Sequence, residues 1–194
     1  MNKDHGKDRD LIWELIDSRE DQNYPLFSVR VNKNRSPRTG EIHEFQVLTS
    51  FEWVAVIPLT LDKQVVMVRQ YRHGTGEISL EIPGGVVKPG TTPEQGAREE
   101  LEEETGYIAR NLVSLGWMYP VPALFTNRMH IFYTLEAEPR GTFKPDETEE
   151  LQTVLVSLDE VKKLIRKGAI NNALIIAALY SFLDHYENAR DQIP

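Results

Sequence analysis

The stretch Gly85–Tyr107, GVVKPGTTPEQGAREELEEETGY, does most to constrain this chain, because its residues spell a tight loop feeding a capped, two-faced helix. Thr92 suits the N-cap, Pro93 the first helical position, and Gln95 completes a capping box with Thr92. Gly106 stops the helix in the left-handed conformation. Between these marks Ala97 and Leu101, and just beyond them Tyr107 and Ile108, can turn inward. Five of the six residues Glu99–Glu104 are carboxylates. Glu100, Glu103 and Glu104 stand three and four apart, so they share one side of the helix. Like charges stacked this way cost a few tenths of a kcal/mol per pair. Two readings follow from the carboxylates alone. One is a solvated acidic face, as charge runs usually are. The other places a cation among the acids, and an all-oxygen donor set selects a hard divalent ion, Mg²⁺ with Mn²⁺ as the alternative.

Composition narrows the class. At 194 residues and 40% apolar, the chain suits one domain with a modest extra element. It has no cysteine, which removes disulfides, thiol nucleophiles and zinc–thiolate sites and fits a reducing cytoplasm. No apolar run reaches membrane-spanning length, and the polar start MNKDHGKDRD does not read as a signal peptide. A net charge of −8 argues against a broad DNA- or RNA-binding surface. It leaves room for a small anionic substrate whose charge is bridged by metal ions. The five histidines are scattered without paired ligand spacing and read as surface or structural residues.

Along the chain, residues up to about Asp10 are expected to be mobile. Leu26–Asn32 and Ile42–Leu48 read as a hairpin joined by the turn-rich segment Asn34–Gly40. Trp53–Leu59 and Gln64–Gln70 read as a second hairpin around Leu61-Asp62-Lys63. Ile78–Ile82, Leu112–Met118, Met129–Leu135 and Leu151–Val156 supply further strands. Leu158–Lys167 and Asn171–Glu187 read as helices. Strands and helices mix without regular βαβ alternation, which points to an α/β sandwich around a mixed sheet.

The order Pro83-Gly84-Gly85, Pro89-Gly90, then Glu100-Leu101-x-Glu103-Glu104-Thr105-Gly106-Tyr107 resembles the Nudix box, whose helical part reads R-E-U-x-E-E-x-G-U with U aliphatic or aromatic. Two positions depart: Thr91 stands for the first glutamate of the pattern and Glu99 for its arginine. In the family those two side chains pair and brace the loop, so losing both leaves neither unpaired. Arg98, one residue away, is a candidate to offset the added negative charge. Val68-Arg69-Gln70-Tyr71-Arg72 and Leu80-Glu81-Ile82-Pro83-Gly84-Gly85 resemble elements of the ADP-ribose and nucleoside diphosphate sugar pyrophosphatase branch. The resemblance spans roughly residues 50–190.

It implies a Nudix fold, an α/β/α sandwich around a mixed β-sheet over residues 51–194, with residues 1–50 forming an N-terminal β-hairpin extension that mediates homodimer formation. It implies metal ligation by Gly84, Glu100, Glu103 and Glu104, with Mg²⁺ as the cofactor. Catalysis is assigned to Glu103 and to a general base in the loop Asp146–Glu150, Glu149 or Glu150. Arg69, Arg72 and Glu81 are the implied substrate-binding residues. The implied reaction is hydrolysis of the pyrophosphate bond of a nucleoside diphosphate sugar of the ADP-ribose or GDP-mannose type, in the cytoplasm and without nucleic acid or membrane partners. The alternatives are a nucleotide-binding sensor without turnover, and a hydrolase of a dinucleoside polyphosphate or capped RNA.

Overall fold

The computed structural model describes residues 9–190; residues 1–8, part of the segment expected to be mobile, lie outside the described residues. The chain divides into two compact units.

The first unit holds the described residues up to Phe51 together with Tyr119–Asn127. Strands β1 (Glu14–Asn23), β2 (Phe27–Arg35) and β3 (Ile42–Ser50) form an antiparallel meander in that order. The expected hairpin is therefore a three-stranded sheet. The sequence ELIDSREDQN hides β1 because this edge strand is exposed along nearly its whole length and shows no buried–exposed alternation. It is held by ladder bonds and by polar cross-strand pairs such as Arg35 with Glu14 (3.0 Å). The turn from β2 to β3 closes with Ser36 N–H donating to Glu41 O (2.8 Å) and Gly40 at φ 74°. Tyr119–Asn127 joins this unit because Leu48 N–H donates to Leu124 O (2.8 Å) and Thr126 N–H to Leu48 O (3.0 Å).

The second unit holds Glu52–Met118 and the described residues from Arg128 onward. Its elements are β4 (Trp53–Pro58), β5 (Gln64–Arg72), β6 (Glu77–Glu81), α1 (Pro93–Thr105), β7 (Ile108–Ala109), β8 (Val113–Met118), β9 (Met129–Thr134), β10 (Ala137–Glu138), β11 (Leu151–Ser157), α2 (Leu158–Arg166) and α3 (Ala173–Arg190). One sheet runs β11-β5-β6, all antiparallel; another runs β4-β9-β8, with β4 and β9 parallel; β7 and β10 form a short ladder. The turn at Leu61-Asp62-Lys63 forms, with Thr60 N–H donating to Gln64 O (2.9 Å), and Leu59 bridges Val65. Beyond it the expected β4–β5 hairpin is not made, because β4 takes β9 as its partner and β5 is flanked by β6 and β11.

Alternation along β4 and β9 builds the sandwich. Ala55 and Ile57, with Ile131 and Tyr133, face a cluster containing Val161 of α2 and Ile175, Leu179 and Phe182 of α3. Val54, Val56 and Phe132 face the opposite way, onto Ala97 and Leu101 of α1. A strand buried on both faces reads as a continuous apolar run, as β4 (WVAVIP) does. Burial of each such Ile, Leu or Phe is worth about 1.5–3 kcal/mol, so helices on both faces are what make the sheet stable.

Candidate functional site

Helix α1 has the ends its sequence announces. Thr92 Oγ1 accepts from Gln95 N–H (3.2 Å), Gln95 Oε1 accepts from Thr92 N–H (2.9 Å), and Gly106 at φ 70° donates to Glu102 O (2.8 Å). The loop before it lies tight against β4, with Val54 N–H donating to Gly85 O and Val56 N–H to Pro83 O, both at 2.9 Å. The Gly84 carbonyl between them is left out of this ladder. A Cβ on Gly84 would stand 2.3 Å from Val54 O, and one on Gly85 would stand 2.6 Å from Glu100 Oε1. The first glycine thus lets the loop meet the sheet, and the second lets it meet an acidic side chain.

The acids crowd at the C-terminal half of α1, the end where the helix dipole disfavours negative charge. Glu104 is 2% exposed and its Oε2 accepts from Gly84 N–H (2.9 Å). Burial pushes its carboxyl up to about 8, against the pull of the Gly84 N–H, and the charges of Glu100 and Glu149 add to the rise. Burial likewise raises Glu100 to about 7, with Glu149, Glu103 and Asp146 adding repulsion and Lys88 opposing it. Two neighbouring carboxylates are therefore held where ionisation is costly and the nearby positive charge is insufficient.

Glu149 comes to the site because the chain before it is tied to the end of α1. Gly141 N–H donates to Gly106 O (2.9 Å), Thr142 N–H to Glu102 Oε1 (3.1 Å) and Lys144 N–H to Glu103 O (2.9 Å). These bonds satisfy late groups of the helix and bring the following acidic loop alongside it. Glu149 is half-buried and its charge acts on Glu100, Glu104 and Arg72, whereas Glu150 is exposed and is not among the charges acting on the three.

Arg72 meets Glu81 through two parallel bonds, Nε to Oε1 (3.0 Å) and Nη2 to Oε2 (2.7 Å). Glu81 is 2% exposed, and although burial opposes its charge, the Arg72 bonds hold its carboxyl below the usual range. Both Glu81 oxygens are thus occupied by Arg72. Arg69 does not join this group: three residues from Arg72 on a strand with continuous register, it points to the other face, where it bonds Gln152 Oε1 (3.4 Å). Among the described histidines His130 pairs with Glu52 (2.8 Å) and His185 with Tyr133 (3.1 Å), while His43 and His73 are exposed.

The structure therefore gathers Arg72, Glu81, Gly84, Glu100, Glu103, Glu104 and Glu149. Sequence reasoning missed Lys88 and named Asp146 only as part of the acidic loop. Lys88 stands 3.3 Å from Glu103 and 3.8 Å from Glu99, the position for which Arg98 was a candidate. Arg98 instead bonds Ala109 O (2.7 Å) and Glu94 (2.9 Å). Among the described residues no three acids or histidines converge as a ready-made metal cage. The donor set still fits a hard divalent ion, since Mg²⁺ keeps several waters and uses only one or two carboxylates. Glu104, buried, and Glu100, half-buried, are two carboxylates short of positive charge, and the glycine at 85 keeps the space beside Glu100 clear.

Comparison with known proteins identifies the family. The family model described as NUDIX domain matches residues 49–179. An ADP-ribose pyrophosphatase of Bacillus subtilis (strain 168) is 32% identical over 121 residues, covering 62% of this chain and 65% of that protein, just under two thirds of its length. ADP compounds hydrolase NudE of Escherichia coli (strain K12) is 28% identical over 156 residues, covering 80% of this chain and 83% of that one. A crystal structure of an ADP compounds hydrolase superposes with a TM-score of 0.82 at 23% identity, covering 91% of this chain and 95% of that one, which establishes the likeness of fold.

Proposed function

The chain belongs to the Nudix hydrolase family, and we propose that it hydrolyses the pyrophosphate bond of nucleoside diphosphate sugars of the ADP-ribose type, giving a nucleoside monophosphate and a sugar phosphate. The observation that carries the reading is the meeting of Glu100, Glu104 and Glu149 with Arg72 beside a glycine loop. The ADP-directed names of the relatives support the substrate class.

In this reading Glu100 and Glu104, assisted by Glu103 and the Gly84 carbonyl, would hold Mg²⁺, with Mn²⁺ as a substitute. When bound, such an ion neutralises pyrophosphate oxygens and makes a water molecule more acidic. Glu149 is the base that accepts the proton of the attacking water at its carboxylate. Arg72, held in plane by Glu81, presents its remaining N–H groups to a phosphate oxygen, so Glu81 acts through Arg72. Arg69 and Glu150 stay outside this group. A cytoplasmic location is part of the reading and rests on the absence of cysteine.

A homodimer is proposed as well. Leu11, Ile12, Leu15 and Ile42 in the first unit are each more than half exposed, and this apolar exposure supports the reading. Light scattering should give twice the 22.3 kDa chain mass; a monomer mass would remove this part of the reading.

The function is tested by incubating the protein and Mg²⁺ with ADP-ribose, ADP-glucose, GDP-mannose, UDP-glucose, a dinucleoside polyphosphate and a nucleoside triphosphate. Metal-dependent release of a monophosphate from ADP-ribose or ADP-glucose is expected. Turnover of the polyphosphates alone, or of nothing by folded protein, overturns it.

The two glycines separate fold from chemistry. Gly84→Ala should cost about 3 kcal/mol of stability, since its Cβ meets β4 backbone that cannot yield. Gly85→Ala meets only the tip of Glu100, so its melting temperature should stay near wild type while turnover drops about a hundredfold. Urea unfolding and a rate assay on both variants check the contrast; equal losses of stability would contradict it.

A further inference from the structure

The geometry points to Lys88 as a positioning residue that keeps Glu103 engaged and thereby limits how many carboxylates of α1 are open to a divalent cation. This rests on the reading that Glu100 and Glu104 bind that cation.

The backbone of Lys88 is pinned on both sides. Before it, Val87 is buried with Ala97 and Leu101. After it, Lys88-Pro89-Gly90-Thr91 form a tight turn. Proline sits at its second position, Gly90 at φ 88° at its third, and Thr91 N–H donates to Lys88 O (3.1 Å). Thr91 Oγ1 donates to the same carbonyl (2.7 Å). Thr91 therefore serves the turn, and the positive charge that faces Glu99 comes from Lys88.

From that fixed point the side chain reaches across to α1. Its Nζ lies 3.3 and 3.5 Å from the two Glu103 oxygens and 3.8 Å from Glu99, which sits one turn earlier on the same face. A single ammonium thus serves two carboxylates. Partial burial works against the charge of Lys88, but Glu103, Glu99 and Glu100 together hold it firmly protonated. As a surface pair this is worth ~0–1 kcal/mol, so its effect on overall stability is small. Its effect on a divalent ion is larger. Lys88 competes with such an ion for the Glu103 oxygens and so weakens the help that Glu103 gives Glu100 and Glu104.

The test is Mn²⁺ binding to the full-length, substrate-free protein, read by electron paramagnetic resonance of free Mn²⁺ and by calorimetry. Lys88→Gln should bind Mn²⁺ about tenfold more tightly than wild type, whereas Lys88→Arg should bind like wild type. Adding Glu103→Gln to Lys88→Gln should erase the gain. A residue that merely held the fold would weaken binding on removal instead. Unchanged or weaker binding by Lys88→Gln overturns the inference alone, as does a gain that survives in the double variant. If the wild-type protein takes up no Mn²⁺, the metal reading falls and this inference with it.

Discussion

Replacing Glu104 by glutamine is expected to slow turnover by about 10²–10³-fold and, at alkaline pH, to make the metal-free protein more stable than wild type. Both effects come from one buried carboxylate. Its folded-state pKa is about 8, against 4.5 when solvated. The folded chain therefore binds this proton more tightly than the unfolded chain. Between those two values stability falls as pH rises, and above about 8 the full penalty is present. Glutamine mimics the protonated acid, can still accept from Gly84 N–H, and never ionises. Its gain over wild type should be absent near pH 4 and reach ~3–5 kcal/mol above pH 8. Urea unfolding of metal-free protein at pH 5, 7 and 9 measures it; a gain independent of pH would refute the assignment. The same protons bear on cation binding. With Glu104 near 8 and Glu100 near 7, the divalent ion proposed to bind them would have to displace protons at neutral pH. Calorimetry in two buffers of different ionisation enthalpy should show proton release, and affinity should climb until both groups are ionised.

The ends of α1 were legible because each rests on a local rule. Thr92, Gln95 and Gly106 act within four residues of their partners, so no tertiary knowledge is needed. The shared face of Glu100 and Glu104 was legible for the same reason. Strand β1 was not, since an edge strand that buries almost nothing leaves no apolar pattern to find. The supposed β4–β5 hairpin failed differently. Its turn is local and formed, but the partner of β4 lies more than seventy residues along the chain. Arg69 and Arg72 look like a pair in sequence, yet the two-residue period of a strand separates positions three apart. Lys88 and Glu149 illustrate the remaining gap. Each reaches the acids only because other contacts place a loop against a helix, Val87 in one case and Gly141–Lys144 in the other. No spacing rule contains that information.

Arg72→Ala should be the most destabilising of the charge substitutions, by about 2–4 kcal/mol at neutral pH, because it strands Glu81. Glu81 has only 3% of its side chain exposed, and Arg72 supplies the bonds that offset its burial. Arg72 itself is 44% exposed, so water entering the space it leaves will relieve part of the cost. The pH dependence has a definite sign. In wild type the Glu81 carboxyl is depressed, so its contribution is full above the unfolded value of 4.5 and is lost as pH falls through its lower folded value. In Arg72→Ala burial acts unopposed and the carboxyl should move above 4.5 instead. The variant's deficit should then be greatest at pH 7–8 and narrow as pH falls, closing only below the depressed wild-type value, where Glu81 is protonated in both proteins. Arg72→Ala/Glu81→Gln should recover much of the lost stability, since the uncompensated charge is gone. It should not recover turnover, because a phosphate oxygen would still lack the guanidinium that Glu81 holds in place. Arg72→Lys completes the argument: it keeps the charge but loses the two-pronged contact, so it should restore stability more fully than kcat/KM. If Arg72→Lys restored both to the wild-type level, the orienting role of Glu81 would be refuted.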